Sequence, residues 1–292
     1  MKKIIILLTF IFAFGIVQSQ IGRYPYSKGI ASAGGGYCDE YQAVYDAMTN
    51  KPSSSVAAAQ NTMVETIVAG NGGTTWDKLL AAWNFANEVN TDDEALINLV
   101  NPGTFDATIT GSPAFTAFEG FQGAVGKYGC TNITPSTEGG TLFTLNDCSM
   151  GVYTRTTSTS TVSLMAATDG ESNIYTAIVP YTSADNAGFG MNEANWGNAF
   201  SNTGTAAFWI AVRTASDAEV LYKNGSSVKT TTRVSTSLPP QPVYFNTNNG
   251  VSAGDWQISF GFMGAALDQT DVTVITNAVE TYMDSNSKGI IE

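Results

Sequence analysis

Histidine is absent from all 292 residues. That removes the Ser-His-Asp triad, the Cys-His pair and every zinc or iron site built on imidazole, so any catalytic base must be a carboxylate or a lysine. Charge is scarce too. Only 13% of residues are charged, and 13 basic side chains face 25 acidic ones, for a net charge of −12. A surface of that sign repels nucleic-acid phosphates and anionic membranes, so nucleic acid is excluded as a partner. Cysteine is limited to Cys38, Cys130 and Cys148. An odd count permits at most one internal bridge. Spacing does not decide among the three pairings; the short loop closed by Cys130 and Cys148 is the first expectation.

A long apolar span is missing as well. The run Ile4 to Val17 falls short of the about 20 residues a membrane helix needs. Preceded by Lys2-Lys3 and followed by Gln18-Ser19, it has the build of a secretory signal peptide, residues 1–19, with the mature chain starting at Gln20. No cysteine sits near that point to carry a lipid. The expectation is a protein that is secreted or held at the cell surface or in the periplasm, with no stable membrane insertion after cleavage. Without Lys2 and Lys3, 11 basic residues stand against 25 acidic ones.

What remains is rich in Gly, Ser, Thr and Asn. Residues 20–97 read as a linker and a helical region. Tyr41, Val44, Tyr45 and Met48 recur at helical spacing behind a capping Asp39, and Lys51-Pro52 breaks that helix. Val56, Ala59, Met63 and Ile67 mark a second helix, ended by Gly70-Asn71-Gly72-Gly73. Trp76 to Ala86 fits a helix or a buried strand equally well. Beyond Asn98 the texture is β. Candidate strands include Phe105–Ile109, Phe115–Phe118, Thr141–Leu145, Gly151–Thr156, Thr161–Ala167, Ile174–Val179, Ala206–Thr214, Glu219–Lys223, Pro242–Phe245 and Trp256–Phe262. Asn224-Gly225 between two of them is a strong hairpin mark, because both residues tolerate positive φ. About ten short strands with such punctuation predict a two-sheet antiparallel sandwich. A last helix with Val272, Ile275, Val279 and Tyr282 on one face follows a cap at Asp268, Thr270 or Asp271.

Three stretches together carry a family resemblance. They are Asn101-Pro102-Gly103-Thr104-Phe105-Asp106 running on to Glu119-Gly120-Phe121, then Leu221-Tyr222-Lys223-Asn224-Gly225, and Phe260-Gly261-Phe262-Met263-Gly264 with the segment from Asp268 to Met283. In that order they resemble the concanavalin A-like, LamG-type jelly-roll superfamily, in the versions common among phage and prophage proteins. The resemblance implies a mainly β jelly-roll sandwich over residues 98–292, flanked by a small N-terminal helical region and a short C-terminal helix. It also implies uses that range from glycan binding, adhesion and virion structure to occasional glycoside cleavage. Fold alone does not choose among them.

Glycoside hydrolysis needs only two carboxylates and so survives the lack of histidine. Hydrolases of this superfamily set their acids as Glu-x-Asp-x-x-Glu along one strand, and no such run occurs here. Asp92-Asp93-Glu94 are consecutive, and Glu119, Glu138, Glu171 and Glu193 read as solvated loop acids. Catalytic residues are therefore assigned to none, and no cofactor is required. Loop acids of the kind that bind calcium occur at Asn146-Asp147, Asp169-Gly170-Glu171 and Asp185-Asn186, in spacings that ordinary Asx turns also produce. The Gly/Asn-rich stretch from Tyr181 to Phe200 reads as a surface loop carrying glycan-binding types, namely Tyr181, Asp185, Asn192, Asn195 and Trp196. The function expected is an exported, non-enzymatic glycan-binding, adhesion or virion-type structural protein. Its partner would be a glycan or a cell-surface or virion protein, and its helical part would dock or oligomerise. The rival is a secreted glycoside hydrolase or lyase with a non-standard carboxylate pair.

Overall fold

The structure is a computed structural model that describes residues 36–171, 173–182, 185–194, 200–250 and 253–292. Two helices, α1 (Asp39–Ala47) and α2 (Ser54–Gly73), lead through a 3₁₀ turn at Trp76–Lys78 into β1 (Leu79–Trp83). The open reading of Trp76 to Ala86 thus resolves as a buried strand. Short strands β2 (Thr108–Thr110), β3 (Ala114–Thr116), β4 (Gly120–Gln122) and β5 (Tyr128–Cys130) follow, then a single helical turn, α3 (Pro135–Glu138). The body of the sandwich is β6 (Cys148–Thr154), β7 (Met165–Thr168), β8 (Tyr175–Val179), β9 (Asn186–Glu193), β10 (Phe200–Ser201), β11 (Ala207–Ala215), β12 (Ala218–Lys223), β13 (Ser226–Thr231), β14 (Tyr244–Phe245) and β15 (Gln257–Gly264). Helix α4 (Gln269–Ser285) closes the chain.

The strands form two antiparallel sheets. The first runs β13-β12-β11-β6-β15-β4-β3, with β1 pairing β15 beyond the end of β4; the second runs β10-β9-β8-β7-β14-β5-β2. Alternation along each strand sorts side chains into two cores. On β11, Trp209 and Ala211 face the second sheet, while Phe208, Ile210 and Val212 face the helices. On β15 the Phe-Gly-Phe step does the same. Phe260 and Phe262 join the helical core, and Gly261 opens the inner side, where the Phe245 ring from the opposite sheet lies 2.6 Å from the place a Cβ would occupy. Across the ladder, the Phe262 ring covers Gly151 in the same way, 2.1 Å from its missing Cβ.

The outer face of the first sheet is therefore sealed by α1, α2 and α4, making three layers. Helix α4 is poor in helix-forming residues, and its start compensates: the Asp268 side chain accepts from Asp271 N–H (2.9 Å) and Asp271 answers to Asp268 N–H (3.0 Å), a complete capping box. The Asn224-Gly225 hairpin forms as expected, with φ of 52° and 79°.

Four expectations need correcting. Thr141–Leu145 forms no strand; it turns between α3 and β6, where the Thr144 and Leu145 carbonyls accept from the Asn192 amide. The stretch Tyr181 to Phe200 is not one long loop, because eight of its residues are the buried strand β9. The sandwich does not begin at residue 98, since β1 is hydrogen-bonded into the first sheet. Finally, all three cysteines are free, with Cys130 in the second sheet and Cys148 buried in the first, so Cys130 and Cys148 are not bridged.

Candidate functional site

Among the five residues expected to bind glycan, Tyr181 and Asp185 flank the turn between β8 and β9. Tyr181 is half-buried against the inter-sheet core, and Asp185 is exposed with φ of 56°. Asn192 lies at the far end of β9, about 20 Å away at the rise of a strand. It is fully buried: its Oδ1 accepts from Thr176 Oγ1 (2.7 Å), and its amide donates to the carbonyls of Thr144 (3.2 Å) and Leu145 (3.1 Å). A bulge beside Tyr175 turns Asn192 inward, where it serves the fold and cannot meet a ligand at the surface. Asn195 and Trp196 lie outside the described residues.

The calcium candidates are used locally. Asp169 accepts from the N–H groups of Glu171 and Asn173 (3.0 Å each), an Asx turn whose backbone donors hold its carboxyl below the ordinary value despite the opposing effect of burial. Asp147 accepts from Ala266 N–H (2.6 Å). Among the described residues no three acidic or thiol side chains converge on a point that could hold a metal.

Two other constellations emerge. The first is a buried charge cluster where the sheets meet. Beyond the reach of β10, the edge of β9 is capped by side chains of the first sheet: Arg213 Nε donates to the Met191 carbonyl (2.7 Å), and Glu219 accepts from Met191 N–H (2.8 Å). Arg213 and Glu219 are cross-strand partners and form an ion pair with both side chains fully buried. The remaining guanidinium donors reach the carbonyls of Ala215, Ser216 and Arg233. Glu193, 1% exposed, lies 4.0 Å from Arg213 and 2.9 Å from Arg233. Burial and the Glu219 carboxylate push the Glu193 carboxyl up to about 7, against the pull of Arg233 and Arg213. Glu193 is thus no solvated loop acid. Two carboxyls around one guanidinium is the nearest thing here to an acid pair, but both are closed off from solvent.

The second is the outer face of the second sheet. Ladder partners share a face, so Tyr244 stands beside Cys130 and Ala166, Tyr175 beside Thr168, and Tyr128 beside Thr110. Their neighbours Phe245, Met165, Ala167, Ile178 and Ile109 point the other way, into the inter-sheet core. Tyr128, Tyr175 and Tyr244 are half-exposed, with Thr108 and Thr110 exposed beside them. Tyr128 and Tyr244 meet edge to face at 5.9 Å. None of the three phenol hydroxyls is hydrogen-bonded to another described residue, and burial, with Cys130 and Tyr128 adding to it, raises the Tyr244 hydroxyl so that it stays neutral. Toward the centre, Ala166, Ala177 and Val179 form a small buried apolar cluster.

Two small enclosed spaces lie among the described residues. A cleft between the sheets, bordered by Phe85, Phe121, Tyr128 and Phe245, holds about 20 Å³, and a pocket under the helices holds about 10 Å³. Each is the size of one or two water molecules and too small for a sugar ring.

No protein-family model matches the chain, and no curated protein resembles it in sequence. Solved structures do resemble it in shape. A Trypanosoma rangeli sialidase mutant displaying trans-sialidase activity superposes with a TM-score of 0.51 at 10% identity, over 78% of this chain and 38% of that one. The binding domain of botulinum neurotoxin DC, solved with rat synaptotagmin II, gives 0.50 at 13% identity, over 70% and 52%. Domain 4 of a GH43 extracellular arabinanase from Geobacillus stearothermophilus, solved with arabinotriose, gives 0.47 at 18% identity, over 68% and 98%. The chain thus spans about half or less of the sialidase and neurotoxin chains. At these identities the likeness is one of fold alone: a two-sheet antiparallel jelly-roll sandwich.

Proposed function

We propose that the protein is an exported, non-catalytic carbohydrate-recognition module that serves adhesion or attachment, as a cell-surface or virion-type component, through the outer face of its second sheet. The observation that carries this reading is the trio of half-exposed tyrosines, Tyr128, Tyr175 and Tyr244, whose hydroxyls bond no other described residue and which stand beside exposed threonines. Aromatic rings offer sugars an apolar platform, and hydroxyls fix orientation. The first sheet has no comparable surface, because its outer face is the floor of the helical core. The sialidase neighbour is named for an activity on sugars, which agrees with this reading without choosing a ligand.

Hydrolysis is the second reading, and Glu193 with Glu219 is where it would have to reside. A carboxyl that holds its proton near neutrality suits a general acid. Both are buried, however, and ion-paired, Glu219 with Arg213 and Glu193 with Arg233. Two assays separate the readings. On a glycan array, Tyr128→Ala and Tyr244→Ala each lower affinity about tenfold with the fold intact by circular dichroism, the loss expected when a ring leaves a sugar face. Binding that survives both substitutions sinks the tyrosine face as the site. Release of reducing ends from a bound glycan, abolished by Glu193→Gln, would establish the hydrolase instead.

A further inference from the structure

The cleft between the sheets is lined by apolar side chains, apart from Thr108, Lys127 and Tyr128 at its solvent-exposed rim and Asn246 in its wall. Asn246 is 4% exposed and held at every group but one. Its N–H donates to the Leu164 carbonyl (2.9 Å), its carbonyl accepts from Gly254 N–H (2.7 Å), and its Nδ2 donates to the Trp256 carbonyl (2.8 Å). The Oδ1 is buried and accepts from no described residue. The amide cannot be turned over to relieve it, because exchange would set Oδ1 against the Trp256 carbonyl. Gly123 closes on the same amide: a Cβ there would lie 2.5 Å from Nδ2. Asn246 itself has a φ of 61°, a conformation asparagine tolerates better than most residues. An apolar cleft with one fixed polar atom has the make-up of a small-molecule site.

We propose that this cleft binds a hydroxymethyl group, whose O–H donates to Asn246 Oδ1 while its carbon stem lies against Phe85, Phe121, Phe245 and Ile258. The chemistry of the wall selects that group. A buried acceptor left without a donor is costly, so the guest must carry a donor, which an ether, ester or carboxylate lacks. An ammonium group has donors but would lose its hydration among aromatic rings without a counter-charge in the wall. A buried water makes about three hydrogen bonds, and this wall has one free acceptor to give it. A volume of about 20 Å³ rejects a sugar ring and admits two or three non-hydrogen atoms entering past Thr108. The group can come from a short free alcohol or from the exocyclic arm of a hexose. The proposal does not rest on the tyrosine face.

The test is a nuclear magnetic resonance titration of the isotopically labelled, intact mature protein, following the backbone amides of Gly123 and Gly129 and the side-chain amide of Asn246. The probes are ethanol, 1-propanol and acetonitrile, the last being of similar size with no donor. Ligands this small bind in the millimolar range. Both alcohols are expected to give saturable shifts at these groups, with acetonitrile at least tenfold weaker. Methyl β-glucoside and methyl β-xyloside, which differ by the hydroxymethyl arm, separate the sources. Shifts with the glucoside and not the xyloside name a hexose, and shifts with the free alcohols alone name a free alcohol. Asn246→Gly keeps the backbone conformation, which glycine adopts freely, and should erase the advantage of alcohol over acetonitrile. No saturable shift with any alcohol, or acetonitrile binding as well as ethanol, or an advantage that survives Asn246→Gly, overturns the proposal. Each of these leaves the tyrosine face to its own test on the glycan array.

Discussion

Removing the guanidinium of Arg213 should be the most damaging single change in the sandwich that leaves every apolar contact of the two cores in place. The side chain is fully buried, and its donors serve Glu219, the edge carbonyl of Met191 and the carbonyls of Ala215, Ser216 and Arg233. Arg213→Met keeps much of the stem's volume but strands Glu219 as a buried carboxyl and leaves four carbonyls without that donor. Breaking a buried ion pair from one side costs about 3–5 kcal/mol. In a domain of this size that lowers the melting temperature by roughly 10 °C. The double variant Arg213→Met with Glu219→Leu removes the stranded charge and should recover at least half of the loss, because apolar groups can replace a buried pair at little net cost. Thermal melts and urea titrations of wild type, single and double variants measure both quantities. A single variant less than about 1 kcal/mol below wild type, or a double no better than the single, would refute the claim that the pair staples the two sheets.

Two further outcomes follow from groups already placed. Glu193 has an ordinary value of 4.5 and is raised to about 7 in the folded protein, so folding favours its protonated form. Its contribution is complete below about pH 4.5, is lost as pH rises to about 7, and is flat above; the difference amounts to about 3 kcal/mol. Stability measured by urea titration from pH 4 to 8 should fall across that window, and Glu193→Gln should flatten the curve. Gly151→Ala would place a methyl into the Phe262 ring, which is fully buried and has no room to retreat. Overpacking of that kind costs about 1–3 kcal/mol, read as a lower melting temperature with unchanged far-ultraviolet circular dichroism.

Much of the architecture is written in local patterns. The helical spacing of Tyr41 and Val44 and of Met63 and Ile67, the Asn224-Gly225 turn and the alternation of Phe208 to Val212 each specify an element whose neighbours merely confirm it. Strand β9 was hidden because its outward positions are Gly188 and Gly190, which read as loop residues. The glycine at 190 is required, since the Glu193 side chain lies 2.3 Å from the place of its Cβ. The alternation of Gly188, Phe189, Gly190 and Met191 is the strand signal, weakened by glycine's low β-propensity. The candidate site was less legible. Tyr128, Tyr175 and Tyr244 come from β5, β8 and β14, separated by about 50 and 70 residues, and only sheet register puts them on one face. The charge cluster was invisible for the same reason. Nothing near Glu193 in sequence announces Arg213 or Arg233.

The dependence of the sandwich on its helices makes a last argument. The resemblance that identifies the jelly roll starts near residue 98, yet the first sheet cannot face water from there. Tyr153, Phe208, Ile210, Phe260 and Phe262 all project from it into the layer formed with α1, α2 and α4, and all are at most 1% exposed. A fragment 98–292 keeps α4 and loses α1, α2 and β1, and with β1 the partner of Gly261 to Gly264 on β15. Uncovering even half of those five side chains costs about 5 kcal/mol at roughly 2 kcal/mol each. That consumes most of the 5–15 kcal/mol by which a domain is stable. It also opens a strand edge able to recruit another chain. The fragment 98–292 should therefore aggregate or fail to melt cooperatively, whereas 36–292 should run as a folded species by sedimentation and melt in one transition. A soluble 98–292 fragment with a cooperative melt would mean that the helical layer is an appendage and that the outer face of the first sheet is available for binding after all.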